Sequence, residues 1–388
     1  MFRKECELTI FSDPDFFAAF PAVANLGGGR LIAVFRLAPS YRQVPGMSPD
    51  WYCHLDCNSR IVHCFSEDNG MTWSAPRQFP GLPLGVAQDG GVFYDGNTLL
   101  VNSFRWCFLP DNVYSALRER GLDEYFHTLG SSSAFPLGSF IFRSTDRGES
   151  WTGPHLPDPL PDGSTVIPGI PRRPHNRTNI VKLPDGRLLL AGQMFGYRPD
   201  HHSSVVLYQS TDGGFSWHYR STPADDRGVA LFEEPTLMRV PDGRLVMLLR
   251  THRDREGNDF KRARLFRIES SDEGLTWSDP VNTGIHGEPG SLLPMSNGKV
   301  LLLCGHREMP CGVRARICNA DVSDASEAEE IVIRDDGGRP NTGYPWATCL
   351  GGDRYLIAYY LDPPVGESGS PEAVAGKRGI FATIAEIR

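Results

Sequence analysis

Hydrophobic positions along this chain fall in short runs, and each run follows a polar, glycine-centred turn. The turn and its run read "LGGGRLIAVF" from Leu26, "YDGNTLLVNSF" from Tyr94 and "LPDGRLLLAG" from Leu183. They recur as "VPDGRLVMLL" from Val240, "SNGKVLLLCG" from Ser296 and "GGDRYLIAYY" from Gly351. Apolar runs this short, bounded by turn residues, predict buried inner strands rather than helices. The turns ask for positive φ, which glycine adopts without a Cβ clash. The last four starts are spaced 57, 56 and 55 residues apart. The earlier gaps of 68 and 89 residues are the same unit carrying insertions, near 37–55 and 107–138. One stretch in the second insertion, "NVYSALRERGLDEYF" from Asn112, has the pattern of a short helix.

A second repeat trails the first. It reads "SEDNGMTW" from Ser66, "STDRGESW" from Ser144, "STDGGFSW" from Ser210 and "SSDEGLTW" from Ser270. Asp212 follows Gly186 by 26 residues and Asp272 follows Gly243 by 29, so both repeats belong to one unit. The fifth unit holds a degenerate version, "CNADVSDASE", and the sixth has none. A unit of about 50 residues with several short strands predicts an all-β fold, a six-bladed β-propeller forming one domain over 1–388. The segment "ECELTIF" is expected to pair beside "IFATIAEIR", covering an exposed edge. The four polar turns read as structural. Asp68, Asp146, Asp212 and Asp272 suit acceptance of turn N–H groups, and an active site needs one nucleophile rather than four equivalents.

Composition narrows the picture. The 388 residues are 40% hydrophobic and 22% charged, and 41 Gly with 31 Pro agree with many tight turns. A net charge of −8 argues against a nucleic-acid partner. The basic run from Arg250 to Arg267 reads as a solvated hairpin. No apolar run reaches the roughly 20 residues of a membrane span. The amino-terminal stretch lacks the apolar core of a secretion signal. Nine cysteines, an odd number without small-domain spacing, suggest free thiols and a cytoplasmic protein, or a secreted one if a leader has been removed. Cys53, His54, Cys57, His63 and Cys64 are zinc-ligand types. Their spacing is not a pair of pairs, and strand alternation divides them between faces. No metal and no cofactor is expected. No phosphate-cradling loop or nucleophile elbow is present.

The "S-x-D-x-G-x-[TS]-W" turns are similar to Asp-boxes, and from about residue 20 to 388 the chain resembles the sialidase (neuraminidase) superfamily. The resemblance implies Asp-boxes on the outer side of the blades and a ligand over the central channel. It also implies roles for singletons. Tyr344, ahead of the sixth strand turn, stands where the family places its catalytic tyrosine. Glu234, in "EEPTLMRVPDGRLVMLLR", stands as the base of that nucleophile, and Asp56, 12 residues ahead of Asp68, as the acid/base. A neutral phenol suits a substrate whose carboxylate would repel an anionic nucleophile, and sialidases are the tyrosine exception among glycosidases. Arg250 and Arg307 would clamp that carboxylate, because a guanidinium meets it with two bonds.

One departure matters. The family's first arginine, two positions ahead of a proline, is Ala19 here, before Phe20 and Pro21. A lost charge-assisted contact costs about 1.5–3 kcal/mol. Arg36, Arg105, His175 and Arg177 are the candidates to compensate. Each assignment has a plain structural alternative: a hairpin ion pair for Glu234 and Arg250, an inter-blade arginine for Arg307, a packed phenol for Tyr344, a solvated loop aspartate for Asp56, loop caps for His175 and Arg177. The resemblance implies an exo-acting glycoside hydrolase that removes a terminal anionic sugar from an oligosaccharide or glycoconjugate. A lyase or hydrolase for another acidic or deoxy sugar, or a non-catalytic carbohydrate-binding propeller, remain open alternatives.

Overall fold

The structure is a computed structural model. It describes residues 2–388 except 42–44, 46–54, 82–85, 124–125, 130–131, 176, 195–202, 226–229, 254–258, 339 and 363–377; for 127–129, 132, 252–253 and 259–263 it describes the backbone alone. Two compact units divide the chain, one of residues Met1–Gln78 and Thr283–Arg388, the other of Phe79–Asn282.

The first unit holds three blades. Blade 1 is Phe16–Gly27, Arg30–Pro39, Arg60–Ser66 and Arg77–Gln78. Blade 5 is Gly290–Pro294, Val300–His306, Cys311–Cys318 and Ile331–Gly337. Blade 6 is Gly343–Gly351, Arg354–Leu361 and Gly379–Ile387, completed by the amino-terminal strand Phe2–Ser12. The expected closure is present, running from Phe2 opposite Ile387 to Ser12 opposite Gly379. Arg354 to Glu5 and Arg334 to Glu7, both at 2.8 Å, fasten it.

The second unit holds the other three. Blade 2 pairs Val86–Ala87 and Gly91–Tyr94 with Leu99–Leu109, followed by Ser132–Ser144 and Thr152–His155. Blade 3 is Ile180–Lys182, Leu188–Met194, Ser204–Ser210 and His218–Asp225. Blade 4 is Glu233–Arg239, Leu245–Arg253, Asp259–Ser270 and Val281–His286, whose last strand crosses the unit boundary. The second insertion is an extension of blade 2, paired as far as Ser133 opposite Leu109. Its helix, Asp111–Glu119, is shorter than the amphipathic pattern and borders a small core of Phe126, Phe135 and Val166.

The apolar runs after the glycine turns are the second of four strands in blades 1, 3, 4, 5 and 6, and the strand Leu99–Leu109 of the six-stranded blade 2. They read as unbroken apolar stretches because blades adjoining within a unit share a core with them. Leu189 and Leu207 of blade 3 share one core with Leu237 and Met247 of blade 4. Leu303 and Val313 of blade 5 do the same with Ala347 and Ile357 of blade 6.

The recurring polar turn clips these layers. The Asp212 carboxylate accepts the N–H groups of Phe215 and Ser216, both at 3.0 Å, and the hydroxyls of Ser210 at 2.8 Å and Ser216 at 2.6 Å. Trp217 is fully buried and donates its indole N–H to the Gly214 carbonyl at 3.1 Å. The glycine of the turn abuts another blade. A Cβ on Gly70 would lie 2.4 Å from Leu356 of blade 6, and one on Gly274 would lie 2.5 Å from Leu207 of blade 3. The degenerate fifth turn keeps the bend, with Val322 at φ 60° and Asp321 accepting from Ser323.

Candidate active site

The candidate positions within each unit are irregular ones. Among the described residues, those other than glycine at positive φ outside the polar turns are Phe20 at 59°, Glu234 at 42° and Tyr344 at 50°. Each lies in the first strand of its blade, each precedes a proline, and each falls in a break of the ladder: between Ala19 and Ala22, Glu233 and Thr236, Gly343 and Trp346. Proline has no N–H to leave unpaired at such a break. A left-handed bulky residue is strained, and residues held this way cluster at functional sites. Glu288-Pro289 is a fourth residue–proline pair, just ahead of the first strand of blade 5.

In the first unit the centre of this arrangement is Tyr344, which is buried. Its ring lies edge-on to Phe20 at 4.7 Å and tilted to Tyr360 at 5.7 Å. The Arg307 guanidinium stands 5.5 Å from the ring centre, a cation–π distance. Arg307 in turn binds Glu288 at 2.6 Å, and both keep about a fifth of their side-chain surface in solvent. Backbone packing seats the strand: a Cβ on Gly343 would lie 2.6 Å from the Gly305 Cα, and one on Gly305 would lie 2.3 Å from the Glu288 carbonyl oxygen. Behind Tyr360, Arg378 and Asp362 form a buried two-bonded pair at 2.9 and 2.6 Å, with the guanidinium 4.1 Å from the Phe17 ring centre.

Arg36 is fully buried and directly opposite Ala19 in the ladder. Directly opposed residues share a face of the sheet, so the methyl of Ala19 leaves that face open to the longer side chain. The guanidinium lies 5.6 Å from Phe17 and 5.9 Å from Phe20. Asp56 caps its own turn. Its carboxylate accepts the Asn58 N–H at 2.7 Å, and its carbonyl accepts the Ser59 N–H and hydroxyl. Asp56 is 8% exposed, which replaces the picture of a solvated loop aspartate with a buried one.

In the second unit Glu234 and Arg250 meet at 2.5 Å, both about a tenth exposed, so the hairpin brings the two ends together as their spacing suggests. The Glu234 N–H donates to the Gln193 side-chain carbonyl. His175 bridges Gln193 through the backbone and stacks on Phe104 at 5.0 Å with 5° between planes, while Trp106 meets it edge-on. The structure therefore places His175 inside an aromatic stack, not as a loop cap, and burial, with the Arg172 charge, pushes its pKa down to about 3. Arg105 and Arg177 are also buried. Burial and then the charge of Arg173 lower the Arg105 pKa.

Several neighbours of the candidate residues escaped sequence reasoning: Phe20, Glu288, Gln193 and the Arg378–Asp362 pair. The recurrent residue–proline step ahead of the strand turn is a signal that marks Phe20 and Glu288. Nothing local marks Gln193 or Arg378. Cys53, His54, His201 and His202 lie outside the described residues. Among the described residues no group of three or more His, Cys, Asp or Glu stands ready to hold a metal.

Comparison with known proteins places this geometry. The chain is a six-bladed β-propeller of sialidase type with four Asp-box turns. It belongs to the BNR repeat-like domain family, whose model matches residues 125–355. A protein of unknown function from Dyadobacter fermentans DSM 18053 is similar over all of this chain and 99% of its own, at 31% identity and a TM-score of 0.85. A mutant of the NanB sialidase of Streptococcus pneumoniae is similar in fold at 17% identity, with a TM-score of 0.58 over 97% of this chain and 70% of that one. The Trypanosoma rangeli sialidase in complex with sialic acid matches at 16% identity and a TM-score of 0.55, over 99% of this chain and 57% of its own. No curated protein matches the sequence significantly.

Proposed function

We propose that this protein is an exo-acting glycoside hydrolase of sialidase type that removes a terminal anionic sugar, a sialic acid or a relative, with retention. Tyr344 is assigned as nucleophile, Glu234 as its base and Asp56 as the acid/base, with Arg250 and Arg307 as carboxylate ligands. Arg36, Arg105, His175 and Arg177 are assigned as further contacts around the sugar. The observation that carries this reading is Tyr344 itself. It is a phenol held at φ 50° in a ladder break, with a guanidinium 5.5 Å from its ring. That guanidinium is itself paired with Glu288, so the phenol sits against a tuned ion pair rather than a bare charge, a setting that supports nucleophilic use. Two further facts support the chemistry: Asp56 is enclosed rather than bathed in water, and Arg250 reaches a carboxylate at 2.5 Å, the geometry it would offer a substrate.

A fluorogenic sialoside tests the proposal. The expected result is turnover by the intact protein and at least a thousandfold loss in Tyr344→Phe, roughly 4 kcal/mol of transition-state stabilisation. Full activity in Tyr344→Phe would sink the mechanism.

Ala19 favours one second reading, a lyase or hydrolase for another acidic or deoxy sugar, because one cation is missing from the first blade's strand. Failure on sialosides, together with new ultraviolet absorbance from an unsaturated ring on an acidic glycan, would select the lyase.

A further inference from the structure

We propose that Glu288 is a positioning residue for Tyr344: it holds Arg307 against the tyrosine and sets how much positive charge the phenol feels. The functional consequence rests on Tyr344 being the nucleophile; the electrostatic relation does not.

The argument begins with the chain. Glu288-Pro289 stands at the same place in its blade as Glu234-Pro235 does in blade 4, and an arginine near the end of the second strand answers each glutamate. The two pairs differ in setting. Arg250 and Glu234 are about a tenth exposed, whereas Arg307 and Glu288 are 24% and 19% exposed. Arg307 also faces the Tyr344 ring at 5.5 Å. Glu288 has little freedom of its own. Its N–H donates to the Gly305 carbonyl at 3.1 Å, and its carbonyl oxygen packs against Gly305, which packs against Gly343 beside the tyrosine. The carboxylate, the guanidinium and the phenol are therefore mounted on one rigid backbone contact.

A salt bridge at 2.6 Å cancels most of the arginine's field at a distance. Removing the carboxylate charge exposes the phenol to the guanidinium; removing the guanidinium exposes it to the carboxylate. Phe20 and Tyr360 also pack on the Tyr344 ring. Arg36 lies behind Phe20, and the Arg378–Asp362 pair lies behind Tyr360. They stay constant across the variants below.

The test is titration of the Tyr344 phenol in the full-length protein, followed by nuclear magnetic resonance of ring-labelled tyrosine, with the signal assigned by its loss in Tyr344→Phe. Glu288→Gln is expected to lower the phenol pKa by about one unit, and Arg307→Met to raise it. The double variant is expected to return near the starting value, and Arg307→Lys to keep the direction of the intact protein. An unmoved phenol in both Glu288→Gln and Arg307→Met would overturn the proposal. So would shifts of the same sign. Sialoside turnover is measured in parallel. A shifted phenol without turnover keeps this inference and rejects the hydrolase reading. Tyr344-dependent turnover with an unmoved phenol keeps the hydrolase and rejects the role of Glu288.

Discussion

Two histidines show how burial is turned into pH dependence. His63 is buried beside Phe65, and burial, followed by the charge of Arg77, lowers its pKa to about 4. His175 in its aromatic stack falls to about 3, from burial and then Arg172. Both are therefore neutral in the fold, while the unfolded chain binds a proton near pH 6.5. The folded state binds fewer protons below that point, so the stability these neutral rings contribute is complete above pH 6.5. It is lost as pH falls towards 4 for His63 and 3 for His175. While only the unfolded chain titrates, each histidine costs about 1.4 kcal/mol per pH unit. Melting temperatures of the intact protein and of His175→Gln, recorded from pH 8 to pH 4, check this. The variant is expected to be less stable at pH 8, yet to lose less on acidification. Parallel curves would remove His175 from the account. The Asp-box aspartates act in a separate, lower window. Hydroxyl and N–H donors from Thr72 and Ser66 hold Asp68 near 2, so its contribution is lost only as pH falls from about 4 through 2.

At the scale of the strand, the site depends on ladder breaks that the hydrophobic pattern does not encode. Alternation and turn glycines predict where strands are. A break followed by proline decides which side chain leaves the ladder, and Tyr344, Glu234 and Phe20 are presented this way. Tyr344 and Glu234 are singled out in the sequence by the family resemblance of their segments, not by these breaks. Phe20 carries only the residue–proline step as a signal, because an apolar residue in an apolar strand has no contrast. Glu288 carries the same step, but its segment does not show that Arg307 answers it. Backbone proximity is equally silent in the sequence, and Gly305 tests it. A Cβ there would meet the Glu288 carbonyl oxygen at 2.3 Å and the Gly343 Cα at 3.3 Å, and neither is a side chain that can swing away. Gly305→Ala is expected to cost about 1–3 kcal/mol and to reduce sialoside turnover beyond what lost folding explains, because both neighbours seat site residues. Gly298→Ala is the control. It sits in open space at φ 79°, so it bears only the left-handed penalty of about 1–2 kcal/mol and is expected to leave turnover per folded molecule unchanged. Denaturant melts with activity normalised to folded protein separate the two.

At the scale of the molecule, the number of blades was readable because repetition multiplies a weak local signal: six strand turns and four clip turns agree on one unit. The same averaging hides function, since the residues that differ between blades are the ones a repeat search discards. Closure of blade 6 was readable for a different reason. Two apolar-alternating segments lay at opposite ends of the chain, and an unpaired strand is a hazard that folds avoid. The amino-terminal strand Phe2–Ser12 covers Gly379–Ile387 along its whole length, buries Ile10, and adds the ion pairs of Glu5 and Glu7. Residues 380, 382, 384, 385 and 387 are fully buried, and residues 385 and 387 share the core of blades 5 and 6. Deleting residues 2–12 is therefore expected to leave the blade foldable but with an open, apolar edge. The melting temperature is expected to fall by several degrees, and light scattering is expected to show concentration-dependent self-association absent from the full chain. Adding back a synthetic peptide of residues 2–12 is expected to suppress that association, since it supplies the missing ladder. An unchanged melting temperature and an unchanged mass after deletion would show that the edge is protected by something other than this strand.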